Sequence, residues 1–286
     1  MKRNLPQWLV KRSFDISQLH DIKTLLRKKG LHTVCEEARC PNIGECFKKP
    51  TATFMIMGDT CTRNCRFCAV THGSPEPLVK EEPLRIAEAV NELKLKHVVI
   101  TSVTRDDLPD GGASHFARTV EEIRNLNNNV TIEVLVPDFK GSEDSLSIVC
   151  KSEPHIVNHN LETIPRLYRD VRPEADYMRS LRLLKKVKEL SSGIVTKSGI
   201  MVGLGETDEE VIAVLKDLRS FGCEMVTIGQ YLSPTKESFP VKEYVSPEIF
   251  EYYRKKAEAM GFKNAASAPF VRSSYLAEEQ TKLVVV

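Results

Sequence analysis

Cys61-Thr62-Arg63-Asn64-Cys65-Arg66-Phe67-Cys68 decides how this chain is read: three thiols, separated by three and then two residues, follow closely on the β-branched and apolar run Thr51 to Met57. Thiolates at that spacing can wrap one loop around an iron–sulfur cubane, which ordinarily takes four ligands, so three leave one iron open. A loop just after the first of several parallel strands is also where (β/α) barrels gather their catalytic groups. Two other chemistries fit the same cysteines. Zinc asks for a fourth protein ligand in tetrahedral geometry, and His72 is near enough in sequence to complete a Cys3His set. Cys65 and Cys68 alone match a thioredoxin-type pair, although that motif normally opens a helix in a smaller fold.

Downstream, short β-branched runs alternate with helical patterns. The strands predicted are Thr51 to Met57, His97 to Val103, Val130 to Val136, His155 to Asn158, Ile194 to Val202 and Met225 to Tyr231. Helices are predicted near Leu84 to Leu95, His115 to Leu126, Ser142 to Lys151, Tyr177 to Leu190, Asp208 to Phe221 and Pro247 to Met260. Such alternation implies right-handed βαβ units and a parallel sheet. Six units fall short of the eight that close a (β/α) barrel, so the expected fold is α/β, a partial (β/α)6 barrel. Residues 51–261 form this barrel, with 1–50 an N-terminal extension and 262–286 a C-terminal tail, both packed on it. The N-terminal extension carries a helix-like stretch, Ser17 to Lys29, and the basic groups Lys11-Arg12, Arg27-Lys28-Lys29 and Lys48-Lys49. Those charges read as a solvated face or as a docking surface for an acidic partner.

The bulk numbers narrow the classes. The chain has 286 residues, and 41 basic against 39 acidic side chains give a formal charge of +2, which creates no whole-molecule field suited to nucleic acid. No apolar run approaches the roughly 18 residues that cross a bilayer, and Met1 to Val10 lacks the apolar core of a secretory signal, so neither membrane nor export is expected and the cytoplasm is. Asn129-Val130-Thr131 therefore carries no weight as a glycosylation acceptor. Six of the eight cysteines lie between Cys35 and Cys68, a clustering that in an unexported chain favours metal or redox chemistry over disulfides. Cys150 and Cys223 stand apart in apolar stretches and read as small buried hydrophobes.

A second trio precedes the first: Cys35, Cys40 and Cys46, with four and then five intervening residues that include Pro41 and Gly44. It too supplies three thiolates for a cubane, or three ligands for a structural zinc loop, and a fourth must come from elsewhere.

The loop Cys61 to Cys68 resembles the signature of radical S-adenosylmethionine (SAM) enzymes, in which the open iron binds SAM and reductive cleavage yields a 5′-deoxyadenosyl radical. The two trios in this order resemble the lipoyl synthase family, and the likeness spans nearly the whole chain. It extends to Thr101 to Gly112 (TSVTRDDLPDGG), Asn158 to Thr163 (NHNLET), Val202 to Thr207 (VGLGET), Gln230-Tyr231-Leu232 and Arg272-Ser273-Ser274-Tyr275. The resemblance implies two 4Fe-4S clusters, one on Cys61, Cys65 and Cys68 with SAM, and an auxiliary one on Cys35, Cys40, Cys46 and a serine of the last motif. That serine aligns with Ser274 rather than Ser273. Leu276 departs from the family, many of whose members carry histidine there.

The implied reaction inserts two sulfur atoms, taken from the auxiliary cluster, into an octanoyl chain amide-linked to a lysine. Its implied partners are lipoyl-carrier domains of 2-oxoacid dehydrogenases or the glycine cleavage H protein, an electron donor such as ferredoxin or flavodoxin, and an iron–sulfur carrier for rebuilding the cluster. Phe67 sits where the family places a side chain against the adenine, and also reads as plain core. Gly203 and Gly205 permit close approach of a cofactor, or simply a tight turn. Asn158, Asn160 and Glu162 suit ribose hydroxyls or the methionyl ammonium of SAM, or cap the next helix. Arg105, Asp106 and Asp107 receive no individual role. A biotin synthase relative would share the later trio but not the earlier one, whereas a two-cluster electron carrier would supply four cysteines to each cluster.

Overall fold

A sheet covered on both faces needs strands that are apolar along their whole length rather than on alternate residues. β2 (Thr51–Ile56) and β9 (Met225–Gln230) are buried at all six positions, and β8 (Val195–Val202) at seven of eight. The computed structural model describes residues 5–10, 24, 26–37, 40, 42–46 and 51–281. Within them β5 (His97–Ser102), β6 (Thr131–Leu135) and β7 (Ile156–Asn158) continue the series. From β2 to β9 every neighbour is parallel, in the order β2-β5-β6-β7-β8-β9. These are the six strands expected from the sequence.

Each flank adds a strand. β1 (His32–Thr33) runs antiparallel to β2, with His32 opposite Met55, and β10 (Asn264–Ser267) continues the parallel side beyond β9. β10 reads Asn-Ala-Ala-Ser and holds no β-branched residue, which is why the pattern alone does not reveal it. Helices Glu82–Glu92, Ala113–Leu126, Glu143–Lys151, Tyr177–Leu190, Asp208–Ser220 and Pro247–Ala259 lie within two residues of the predicted starts. Ser142 caps one through its side chain, and Thr207 with Glu210 forms a reciprocal capping box on another.

One apolar core packs the helices onto the first half of the sheet, around Phe54, Ile100 and Phe116, and a second does so for the later half, around Ile200, Leu215 and Phe250. Cys150 and Cys223 are buried in this material, and burial pushes their thiols up to about 11 and about 12. Lys11-Arg12, Lys48-Lys49 and most of Ser17 to Lys29 lie outside the described residues. Arg27 is 3.5 Å from Glu36, and Lys29 lies 3.2 Å from Glu92, so part of that basic group is paired. Among the described residues no helix is long and apolar enough to cross a membrane.

Candidate active site

The first trio sits on a loop that is clamped from several sides. Its entry strand β3 (Thr60–Cys61) pairs with β4 (Thr71–His72), so the loop closes back on itself. Thr62 donates both its amide and its hydroxyl to Thr104 O, at 3.0 and 2.9 Å, and accepts from the Asp106 amide at 3.0 Å. Arg63, only 6% exposed, donates from Nε to Asp106 Oδ2 at 2.6 Å and from Nη2 to Asp138 Oδ1 at 2.6 Å. Asp138 is held from its other oxygen by Arg179 at 3.1 Å. Burial alone would raise the Asp138 carboxyl, but hydrogen bonding and charge from Arg63 outweigh it and hold the group below the usual carboxylate range. On the far side Arg66 N donates to Val171 O at 2.9 Å, and Arg66 O accepts from Phe239 N at 2.7 Å.

Amide groups also point at the sulfurs. Cys61 Sγ accepts from Arg63 N at 3.4 Å and Thr104 N at 3.3 Å, and Cys68 Sγ from Val70 N at 3.5 Å. Such bonds stabilise sulfur-borne negative charge and are one of the levers that tune an iron–sulfur centre. Burial pushes the Cys65 thiol up to about 12, with its neighbours Cys61 and Cys68 adding to the rise against Arg172. Burial raises Cys68 likewise.

The second trio is carried by two short helical turns, Val34–Glu37 with Cys35 and Ile43–Cys46 with Cys46, and Cys40 N donates to Cys35 O at 3.1 Å between them. Cys35 is raised well above its ordinary value, first by its hydrogen bond with Cys40, then by burial. The C-terminal tail holds this segment. Asn42 Nδ2 donates to Phe270 O at 2.6 Å, and the Tyr275 hydroxyl donates to Glu45 at 2.7 Å.

Two glycines let the tail cross the strand ends. A Cβ on Gly229 would come within 2.0 Å of Val271 O, and one on Gly199 within 2.8 Å of each of Asn160 Oδ1, Ser273 Oγ and Thr227 Oγ1. There Ser273 donates to Asn160 Oδ1 at 2.9 Å, whereas Ser274 makes no hydrogen bond among the described residues.

All six clustered cysteines, Ser273 and Ser274 line one cavity of about 560 Å³ over the C-terminal ends of the strands. Among the described residues no three His, Cys, Asp or Glu side chains are gathered to hold a single metal ion, although thiolates on one zinc at 2.3 Å would stand within about 4 Å of each other. His72 is exposed and does not line the cavity, so it offers the first trio no fourth ligand there. Two sets of three cysteines outside any disulfide, with the unbonded Ser274 hydroxyl on the same cavity, are a donor set that fits two cubane clusters.

Of the side chains expected at the cofactor, Phe67, Asn160 and Glu162 line the cavity. Glu162 holds an uncommon left-handed conformation, φ 65°, fixed by Glu162 N to Gly199 O at 3.0 Å and Met201 N to Glu162 O at 2.8 Å. Burial raises its carboxyl, against Arg172 and the Asn160 amide that donates to it at 2.9 Å.

Asn158, Gly203 and Gly205 do not line the cavity. Asn158 faces a lower layer of the barrel, donating to Glu133 at 2.9 Å. Gly203 makes room for other protein: an added Cβ would meet Gln230 Nε2 at 2.2 Å and Glu243 O at 2.4 Å. The residues around Asn158 supply what it does not. His159 Nδ1 is 2.8 Å from Val136 O, a carbonyl that can only accept, so this nitrogen carries the proton. Burial lowers His159 to about 4, leaving a neutral ring whose Nε2 is a buried acceptor without a partner at the cavity wall. Arg172 donates to Asn160 O at 2.7 Å, and its Nε is likewise unpartnered. His159 stands inside the NHNLET motif, but nothing in the sequence singles out its ring, nor Arg172, Gly199 or Gly229.

The Radical SAM superfamily model matches residues 55–218. A lipoyl synthase of Caldanaerobacter subterraneus subsp. tengcongensis is 59% identical over 273 residues, covering 96% of this chain and 95% of that protein. The lipoyl synthase of Caldicellulosiruptor saccharolyticus is 56% identical over 284 residues, 99% of this chain and 100% of that one. Among solved structures, SuiB of Streptococcus suis bound to S-adenosylmethionine superposes with a TM-score of 0.61 at 14% identity, covering 89% of this chain and 61% of that one. Methylornithine synthase gives 0.57 at 16% identity, covering 87% and 74%. At those identities the structures speak for the fold alone.

Proposed function

Because the chain belongs to the lipoyl synthase family of the radical SAM superfamily, we propose that this cavity is where an octanoyl-lysine chain receives two sulfur atoms, with each thiol trio holding one 4Fe-4S cluster. The enzyme is a radical SAM sulfurtransferase. Bound in the cavity, SAM and the clusters supply one-electron activation of two unactivated C–H bonds and the sulfur that replaces the hydrogens.

Cys61, Cys65 and Cys68 hold the SAM-binding cluster, and the amides of Arg63, Thr104 and Val70 steady its charge. Cys35, Cys40, Cys46 and Ser274 hold the auxiliary cluster. The serine choice is supported by the hydroxyls: Ser273 is bonded to Asn160, and that of Ser274 is unbonded. A hard oxygen is a poor match for a soft site and leaves readily when the cluster is dismantled. Phe67 offers an apolar face to the adenine. Glu162, Asn160, Arg172 and the bare Nε2 of His159 serve the polar groups of SAM, the part expected from the sequence of Asn158, Asn160 and Glu162. The apolar wall formed by Met55, Val103, Leu135 and Met201 excludes water from the acyl chain.

In this reading 1–50 brings the auxiliary ligands, 51–261 is the radical SAM barrel and 262–286 brings the serine. The substrate is the octanoylated lipoyl-carrier domain of a 2-oxoacid dehydrogenase or the H protein, in the cytoplasm. Ferredoxin or flavodoxin supplies electrons, and an iron–sulfur carrier rebuilds the auxiliary cluster.

One observation carries the proposal: both trios and Ser274 open onto the same cavity. Anaerobic incubation with SAM, reductant and an octanoyl-lysyl peptide should give a sulfur-bearing peptide and 5′-deoxyadenosine by mass spectrometry. Cys35→Ala should lose sulfur transfer while SAM cleavage persists. Protein that binds stoichiometric zinc and no iron would sink the reading.

A further inference from the structure

Beneath the cavity the barrel interior carries charge. Glu133, Lys197, His97 and Asn158 are all fully buried. Lys197 Nζ lies 3.1 Å from Glu133 Oε1 and 3.2 Å from Oε2, Asn158 donates to Oε1 at 2.9 Å, and His97 Nε2 stands 3.4 Å from Oε2. Burial pushes the Glu133 carboxyl up, but Lys197 and then His97 outweigh it and hold it down at about 2. Glu133 is therefore held as its carboxylate against Lys197, and neither residue lines the cavity described above.

Spacing along the strands sets its depth. Residues two apart share a strand face and are separated by about 7 Å. Leu135, Asn160 and Gly199 line the cavity. Glu133, Asn158 and Lys197 are the residues two positions earlier on the same three segments, so along these strands the ion pair comes next below the lining residues, while on β2 Thr53 and Thr51, in the rows of Glu133 and His97, line the cavity itself. Ile156 and Val195, two positions earlier again, pack with Met225 into an apolar plug. Helix Ala277–Thr281 closes the underside, with Thr281 Oγ1 3.4 Å from His97 Nδ1.

An apolar chain let down into this barrel passes apolar walls and then meets paired charge. Spreading Lys197 from Glu133 would strand a charge away from water, a penalty far above the gain from burying one more methylene. The geometry points to the Glu133–Lys197 layer as the floor that sets the length of acyl chain the enzyme accepts. The inference rests on the octanoyl-lysine reading and adds to it the residues that measure the chain.

The test is a set of equilibrium titrations of the anaerobic, cluster-loaded enzyme with hexanoyl-, octanoyl-, decanoyl- and dodecanoyl-lysyl peptides. Affinity should rise by about fourfold per methylene up to eight carbons, then stop rising or fall at ten and twelve. The Glu133→Ala/Lys197→Ala double variant removes both charges together, so neither is stranded, and lowers the floor. It should bind the decanoyl peptide at least tenfold more tightly than wild type while binding the octanoyl peptide equally well. A wild-type affinity that keeps climbing through twelve carbons overturns the floor, as does a folded, iron-replete double variant with the wild-type chain-length profile. If the double variant does not fold, the wild-type series decides alone. Affinity that ignores chain length altogether removes the octanoyl reading itself, and the floor with it.

Discussion

The two cysteine trios face the same cavity but are held in opposite ways. Cys61 to Cys68 lies on a rim loop braced by neighbouring barrel loops: Arg63 is gripped by Asp106 and Asp138, and Thr62 is bonded to Thr104 and Asp106. Cys35 to Cys46 lies on two four-residue helical turns fastened by contacts from residues more than 200 positions away, Asn42 to Phe270 and Glu45 to Tyr275. A cluster that initiates the chemistry again and again suits a rigid seat. A cluster that is consumed and rebuilt suits one that opens without unfolding the barrel. The difference in bracing is thus a difference in how many contacts must break before iron can leave.

The comparison breaks most visibly at Arg63. Arg63→Ala leaves the Asp138 carboxylate, fully buried, with the Arg179 guanidinium and the Lys140 amide but without its closest cation. Removing one partner of a buried pair costs about 3–5 kcal/mol. Iron should be lost from the rim site and SAM cleavage abolished, with a lowered thermal midpoint, and Arg63→Lys should recover only part because it lacks the planar fork. Normal SAM cleavage in Arg63→Ala would show that the clamp does not seat the loop. The clamp also has an acid limit. A carboxyl depressed in the folded state gives stability that is complete above its unfolded pKa of about 4 and lost as pH falls through the lower folded value. Asp138 is depressed. The gap in thermal midpoint between wild type and Asp138→Asn should therefore be flat from pH 8 to pH 5 and narrow only below the ordinary carboxylate range.

Gly229→Ala sharpens the contrast from the other side. Its new methyl would fall 2.0 Å from Val271 O, a backbone atom that cannot swing away, so the tail must shift. Overpacking of this kind costs about 1–3 kcal/mol. The auxiliary site should lose its iron and sulfur transfer should stop, while the rim cluster and SAM cleavage persist. Equal loss of iron from both sites, read by iron analysis and electron paramagnetic resonance, would mean that the two seats are not independent.

How much of this could be read from the chain follows the same divide. The six strands were legible because they are apolar, β-branched runs set off by turn residues, and the rim loop because its cysteine spacing is local. The second trio was legible as chemistry but not as architecture. The crossing of the tail is encoded by two absent side chains, Gly199 and Gly229, and an absence in a strand has no periodicity to detect. Glu133 and Lys197 were equally hidden, being single charges in apolar runs whose partner lies 64 positions away. Asn158 was expected at the cofactor from its motif. Strand alternation puts it in the same inward column as Asn160 but one layer down, against Glu133, so position in the motif did not convey depth. Gly203 and Gly205 looked like a cofactor approach, but at Gly203 the space is filled by Gln230 and Glu243.

The smallest effect expected is at Tyr275. Tyr275→Phe keeps the ring and deletes only the hydroxyl that donates to Glu45 at 2.7 Å, one residue before Cys46. A hydrogen bond to a charged group contributes about 1.5–3 kcal/mol when buried. Tyr275 is only partly buried, so solvent replaces part of the loss and about 1 kcal/mol is the reasonable figure. That is too little to empty the auxiliary site, because Asn42 still bonds Phe270 and the three thiols still face the cavity. It is enough to change how fast the seat opens: about fivefold if the full difference falls on the opening step. Iron release to a chelator should therefore quicken by roughly that factor at the auxiliary site, with the rim cluster unchanged and thermal unfolding scarcely altered. If chelation speeds up at both sites together, the tail is bracing the whole cavity mouth, and the division between a rigid seat and an opening one is wrong.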